Sequence, residues 1–141
     1  MESTRAAYDE IYVYAMQRPW FILQHVVDAS AIQGATRDSK PIAVVFGLIG
    51  LYLRVEKQFS GRQVQLVHKK LAARKRAWPR IDLPEQRGEF TVFDVRRVPA
   101  GPQRDMAIDF WCRSVWASVA NTRPSIISLL EDHGIVESKA Q

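Results

Sequence analysis

PIAVVFGLIGLYLRVEK, residues 41–57, is the stretch that decides the fold of this chain. It is apolar on nearly every side, which predicts a helix enclosed by other helices rather than one at the surface. Pro41 suits its first turn, and Asp38 or Ser39 stands where a capping side chain is expected. Its longest apolar run, residues 42–53, is about 12 residues long, whereas a membrane span needs about 20. We therefore expect a buried central helix.

Two glycines interrupt this apolar stretch. Gly47 and Gly50 are three residues apart and so share one side of the predicted helix. Each glycine costs up to about 1 kcal/mol in a helix. The pair therefore predicts that another helix approaches this side closely.

The rest of the chain predicts further helices from the spacing of its apolar residues and from its caps. Expected helices cover residues 5–17, 19–33, 60–77, 92–97, 102–120 and 124–133, with capping boxes at Ser60/Gln63 and Thr91/Asp94. No stretch alternates with the period of a strand. We predict an all-α fold, a compact bundle of five to six helices in a single domain over residues 1–141, with flexible ends at residues 1–4 and 135–141.

The composition narrows the cellular setting. The chain has 141 residues, of which 47% are hydrophobic, and it holds one cysteine. A lone cysteine cannot form an internal disulfide, which suits a reducing compartment. The first residues lack the basic-then-apolar pattern of a secretion signal. We expect a cytoplasmic protein that does not enter a membrane.

A basic segment contributes to the net charge of +5. KKLAARKRAWPR, residues 69–80, contains six basic residues and no acid: Lys69, Lys70, Arg74, Lys75, Arg76 and Arg80. With Trp78 it has the cations and the ring that bind phosphates and stack on bases. The alternative is a solvated helix face, neutralised by nearby acids, whose tryptophan anchors the following loop.

QHVVDASAIQG, residues 24–34, carries the candidate functional residues. On a helix, His25 and Asp28 lie one turn apart, with Gln33 below them. If the neighbouring helices pack together, Glu56 and His68 converge on the same pair. Two histidines with carboxylates suit a divalent metal in a bundle core, so His25, Asp28 and His68 are the candidate metal ligands.

The His25 and Asp28 pair also has a purely structural interpretation. A buried His–Asp pair is more often a structural hydrogen bond than a metal site, and no HExxH motif is present. Beside this interpretation, three functions remain open. A polar pocket around His25 and Asp28 would bind a small ligand or a protein partner. A small biosynthetic enzyme would use the same pair for acid–base or metal-assisted chemistry. A nucleic-acid-binding accessory protein would use the basic segment. The sequence identifies neither a cofactor nor a partner.

Three segments together resemble a bacterial family of small helical proteins of unknown function. The family's elements are Val-Asp-Ala-Tyr-x-x-Gln-His, Arg-Gly-x-Leu-Thr-Val-x-Asp-Val and Trp-x-x-x-Val-Trp. The matching residues here are Val27, Asp28, Ala29 and Gln33; Arg87, Gly88, Thr91, Val92, Asp94 and Val95; and Trp111, Val115 and Trp116.

The resemblance covers most of residues 8–120 and implies a helical fold without an activity. Ser30 replaces the family's tyrosine and Gly34 its histidine, so a metal held by that histidine in relatives would lack one ligand here. Arg87 belongs to a loop with the features of a fixed turn and cap. We expect this loop to end against the helix of His25 and to close a pocket there. Gln33, Glu56, His68 and Arg87 are therefore candidate ligand-binding residues.

Overall fold

A computed structural model describes residues 3–135, which form a bundle of seven α-helices with two short 3-10 turns. The α-helices are α1 Thr4–Met16, α2 Leu23–Gln33, α3 Pro41–Lys57, α4 Gly61–Ala72, α5 Val92–Arg97, α6 Pro102–Ser118 and α7 Arg123–Asp132, and the 3-10 turns are Pro19–Phe21 and Ala120–Thr122. The all-helical prediction is confirmed over these residues, which contain no strand. The count of five to six helices is too low, although a helix was expected at each of the seven places where one forms.

Helix α3 is the central helix, with the bounds that the sequence predicts. It packs against α2, α4, α6 and α7, and its middle part, residues 44–53, is buried except for the half-buried Phe46. The predicted cap is wrong: Lys40 stands at the cap position and no side chain caps the helix. Ser39 is turned away because its hydroxyl accepts a hydrogen bond from the backbone N–H of Thr36, at 2.9 Å.

The two glycines of α3 allow α2 to approach it closely, as predicted. A β-carbon added at Gly47 would lie 2.9 Å from the side chain of Ile32. One added at Gly50 would overlap the carboxyl group of Asp28. A larger residue at either position would therefore displace these side chains or push the two helices apart.

Helix α2 begins at Leu23, four residues later than predicted. Trp20 and Phe21 have φ values of 66° and 56°, so the chain kinks before the helix. At this kink the backbone lies directly against Gly61, the first residue of α4. A β-carbon at Gly61 would overlap the carbonyl oxygen of Phe21. A conformation set by this distant contact has no signal in the local sequence.

Helix α4 ends at Ala72, so the second half of the basic segment lies outside it. Lys75 has a φ of 47°, which turns the chain into the long loop that leads to α5. Both predicted capping boxes are present, at Ser60/Gln63 and at Thr91/Asp94. The loop therefore ends at a fixed point in front of α5.

The two ends of the described chain are held by specific contacts. The hydroxyl of Ser3 accepts a hydrogen bond from the N–H of Ala6 and caps α1. Ile135 is buried against the core. Flexibility of residues 1–4 and 135–141 stays a prediction, and residues 1–2 and 136–141 lie outside the described residues.

We expect Gly50→Ala to destabilise the protein, although alanine favours a helix by up to about 1 kcal/mol over glycine. The added methyl group collides with the Asp28 carboxyl, so either this side chain leaves its buried position or α2 moves away from α3. In an Asp28→Ala background the space is free, and the same change should be neutral or stabilising. Urea unfolding of the four variants of this cycle measures the coupling. An equal effect of Gly50→Ala in both backgrounds would contradict the close contact.

Candidate functional site

His25 lines a cavity of about 270 Å³ between α2, α3 and α6, which we call the His25 cavity. The residue is 6% exposed, so only a small part of its surface faces the cavity. The other lining residues are Ile22, Arg54, Asp105, Met106, Ile108, Asp109 and Arg113. The cavity therefore combines an imidazole with two acids, two arginines and an apolar wall.

Burial sets the protonation of His25. Its pKa is lowered to about 4, mainly by desolvation and also by the positive charge of Arg54, which the charge of Asp109 opposes only in part. The imidazole is therefore neutral near pH 7. Its Nδ1 atom is buried and has no hydrogen-bond partner among the described residues. A buried ring nitrogen without a partner is uncommon and calls for a physical explanation.

Most charges around the His25 cavity are already paired. The Nε–H of Arg54 donates to Asp109 at 2.9 Å, and Arg18 forms a two-point pair with Asp105, with a shortest distance of 2.7 Å. Arg113 differs, because its Nε lies 3.8 Å from Asp109 and its side chain is 58% exposed. Arg113 is thus the most weakly held cation at this cavity.

Asp28 does not line the His25 cavity. Its carboxyl group points to α3, where Gly50 leaves room for it, and Gln24 donates to one oxygen at 3.1 Å. The other oxygen is buried without a partner among the described residues. Desolvation raises the pKa of Asp28 well above its usual range, which favours the neutral acid.

The hydrogen-bonded pair of His25 and Asp28 considered from the sequence does not form. Residues three apart on a helix differ by about 60° in direction. Here that angle turns His25 to the cavity beside α6 and Asp28 to the face of α3. A polar pocket built around both residues is therefore replaced by a cavity around His25 alone.

Gln33 joins three elements rather than lining the His25 cavity. Its Nε2 donates to the carbonyl oxygens of Arg87, at 3.1 Å, and of Phe90, at 2.8 Å. Its Oε1 accepts the indole N–H of Trp111 at 2.9 Å. Gln33 therefore links α2, the loop before α5 and α6.

The loop before α5 does end against α2, but far from His25. Arg87 donates from Nη2 to the carbonyl of Ala35 at 2.8 Å, just beyond the last turn of the helix. Gln33 is eight residues after His25, which is roughly 12 Å along the helix axis. The loop therefore does not close the cavity at His25.

Glu56 and His68 also have structural partners. Glu56 accepts from the indole of Trp116 at 2.9 Å and from Arg123 at 2.8 Å, which ties α3 to α6 and α7. His68 bonds from Nε2 to the carbonyl of Phe46 at 2.8 Å. Within residues 3–135, no three His, Cys, Asp or Glu side chains gather as metal ligands would. The predicted convergence on His25 and Asp28 is absent from this part of the chain.

In the part of the chain that the structure describes, the arginines of the basic segment are engaged within the protein, whereas its lysines are not. Arg74 donates to the carbonyl of His133, and Arg76 contacts the ring nitrogen of His133, both at 3.1 Å. Trp78 packs against the rings of Phe46 and His133 and beneath Arg76. This arrangement matches the alternative in which the tryptophan anchors the loop. Lys69, Lys70 and Lys75 are exposed.

Sequence reasoning missed the residues that surround His25. Asp105, Asp109 and Arg113 follow one another at four-residue steps on α6, which places them on one face. Arg54 is the first charge to follow the apolar run of α3. These two patterns are the signals that the sequence offers, but neither shows that the faces meet at His25.

The family comparison agrees with this description of an all-helical chain. A family of unknown function, DUF5946, matches residues 5–120. The chain belongs to this family. The DUF5946 match spans α1 to α6 and includes every residue that lines the His25 cavity. No curated protein and no solved structure matches the chain.

In the described part of this DUF5946 member, no helix is both long enough and apolar enough to cross a membrane.

Replacement of Gln33 by alanine should destabilise the protein by about 2–4 kcal/mol. The change leaves the indole N–H of Trp111 and two loop carbonyls without partners, and each buried unsatisfied group costs about 1–3 kcal/mol. Gln103→Ala, at an exposed position of α6, is the matched control and should shift stability by less than about 0.5 kcal/mol. Equal denaturation midpoints for the two variants would show that Gln33 is not a structural link.

The pH dependence of stability should separate His25 from Asp28. Because the folded pKa of His25 is depressed, its stabilisation is complete above about pH 6.5 and is lost as pH falls towards 4. The pKa of Asp28 is raised, so its contribution is complete below about pH 3.8 and is lost as pH rises. The two contributions oppose each other between these values.

We therefore expect opposite slopes when urea unfolding is measured between pH 4 and 6.5. Relative to the natural protein, Asp28→Asn should gain stability as pH rises, and His25→Gln should gain it as pH falls. Each slope is at most about 1.4 kcal/mol per pH unit. Curves parallel to that of the natural protein would refute the two pKa shifts.

Proposed function

We propose that this chain is a non-catalytic helical module that binds a small carboxylate ligand in the His25 cavity. The observation that carries the proposal is a nearly buried, neutral imidazole on the wall of a cavity that also holds the weakly paired Arg113. A neutral imidazole has one donor and one acceptor nitrogen, and the donor can bind an anion. A guanidinium group binds a carboxylate through two N–H groups. Together they recognise an anion with a fixed orientation.

The shape and lining of the cavity limit the ligand. A volume of about 270 Å³ is just below the lower end of typical ligand pockets, about 300 Å³. Ile22, Met106 and Ile108 form the apolar part of the wall. These features favour a monocarboxylate with a short apolar body.

Binding is better supported than acid–base chemistry by the same pair. A general acid or base must reach its substrate within hydrogen-bond distance. Asp28 lies at the α2–α3 contact and is not part of the cavity wall. Cys112 is buried, burial raises the pKa of its thiol, and its sulfur donates to the carbonyl of His25. Neither side chain offers His25 a catalytic partner in the cavity, and the two acids that do line it, Asp105 and Asp109, are held in ion pairs with Arg18 and Arg54.

Imidazole and methyl NMR signals test the proposal directly, with acetate, butyrate and benzoate as probes at millimolar concentration. We expect butyrate and benzoate to shift the ring signals of His25 and the methyl signal of Met106, with acetate weaker because it lacks the apolar body. His68 and His133 lie outside the cavity and serve as internal controls.

A pair of arginine variants tests the role of the cation. Arg113→Gln should weaken butyrate binding about tenfold, since hydrogen bonds to a charged group contribute about 1.5–3 kcal/mol. Arg97→Gln is the matched control, because Arg97 is also an exposed helical arginine beside one acid. The proposal is wrong if no probe shifts His25, if all three histidines shift alike, or if the two variants bind equally.

A further inference from the structure

A second concave site lies at the other end of α2 from the His25 cavity. It is a cleft of about 630 Å³ between the α2–α3 turn, the first turns of α3 and the loop at residues 80–87. We call it the arginine cleft, after its lining residues Arg37, Arg80 and Arg87. Its volume is within the usual range of small-molecule sites, about 300–1,000 Å³.

The three arginines meet at one short turn of the chain. Arg87 donates to the carbonyl of Ala35 at 2.8 Å, and Arg80 contacts the carbonyl of Arg37 at 3.3 Å. Two carbonyls of the turn at residues 35–37 therefore accept hydrogen bonds from Arg80 and Arg87, and the third arginine, Arg37, belongs to the turn itself. An anion bound in the cleft would therefore lie within reach of more than one guanidinium group.

The cleft is lined by three arginines and two acids, so its formal net charge is +1, but among the described residues the acids do not pair with the arginines. Asp82 and Glu85 line it, yet in the part of the chain that the structure describes neither forms an ion pair with Arg37, Arg80 or Arg87. The Nε–H of Arg87 is buried and has no acceptor among the described residues. Arg37 and Arg80 are exposed, and Arg80 donates one hydrogen bond to the carbonyl of Arg37, so most of their N–H groups can reach a ligand in the cleft.

We propose that the arginine cleft binds the phosphate group of a small phosphate monoester. Guanidinium groups match phosphate oxygens through paired N–H donors, and several around one anion favour the doubly charged phosphate over a carboxylate. Val44, Ile81 and Leu83 also line the cleft and give the organic part of the ester an apolar surface.

The cleft and the His25 cavity share no lining residue. Ala35 follows His25 by ten residues, which is roughly 15 Å along a helix. The loop that forms one wall is also fixed, because Gln33 holds the carbonyls of Arg87 and Phe90. The two sites can therefore be tested independently.

Calorimetric titration of the full chain with phenyl phosphate is the first test, with inorganic phosphate and phenol as the two halves of the ligand. We expect phenyl phosphate to bind more tightly than inorganic phosphate, and phenol not to bind. In ¹H–¹⁵N NMR spectra, the shifted backbone amides should lie in residues 35–44 and 80–88. Failure of phenyl phosphate to bind at millimolar concentration, or shifts spread over other helices, would overturn the proposal.

Charge-matched variants distinguish a built site from general attraction. Arg37→Gln and Arg80→Gln should each lower the affinity for phenyl phosphate about tenfold. Arg62→Gln removes the same charge from exposed α4 and should change the affinity less than about twofold. Equal weakening by all three would overturn the proposal. Arg87 is left intact because it also holds the loop.

A last comparison identifies the source of the phosphate group. Vesicles of phosphatidylcholine with and without phosphatidic acid present the same monoester on a lipid surface. Because the cleft is concave, we expect the soluble ester to bind and the two kinds of vesicle to sediment equal, small amounts of protein. Binding to phosphatidic acid vesicles without binding of phenyl phosphate would assign the arginines to a membrane surface and overturn the small-molecule proposal.

Discussion

The close contact between α2 and α3 is the constraint on which the rest of the bundle depends. It exists because Gly47 and Gly50 leave no side chain between the helices. The contact covers the Asp28 carboxyl and fixes the rotation of α2. Once that rotation is set, His25 must face α6, and the C-terminal end of α2 must meet the loop before α5. The two concave sites are therefore set by one helix pair.

Polar side chains then hold the helices in register around this pair. Gln33 and Glu56 each bind the indole N–H of a tryptophan on α6, at 2.9 Å in both cases. Buried tryptophans generally need such a partner for the ring N–H. Gln33 and Glu56, which the sequence suggested as ligand-binding residues, therefore hold helices together instead. The polar groups that line the cavity with His25 are Arg54, Asp105, Asp109 and Arg113.

The sequence predicts features that depend on near neighbours. The bounds of α3 follow from Pro41 and from the length of the apolar stretch, and both capping boxes follow from residues three apart. Features that depend on distant contacts were missed. The left-handed turn at Trp20 requires Gly61 beside it, and the directions of His25 and Asp28 depend on which helix covers each one. The candidate site was therefore predicted at one residue, His25, and the rest of its wall was not.

The one thiol of the protein gives this architecture a redox consequence. Cys112 lies on α6 with no exposed surface, and its sulfur donates to the carbonyl of His25, at 3.5 Å. Because a thiol reacts as an exposed thiolate, an oxidant reaches Cys112 only when α2 separates from α6. That opening also dismantles the His25 cavity. Any molecule bound there would hold the two helices together and so slow the oxidation of a sulfur that it never touches.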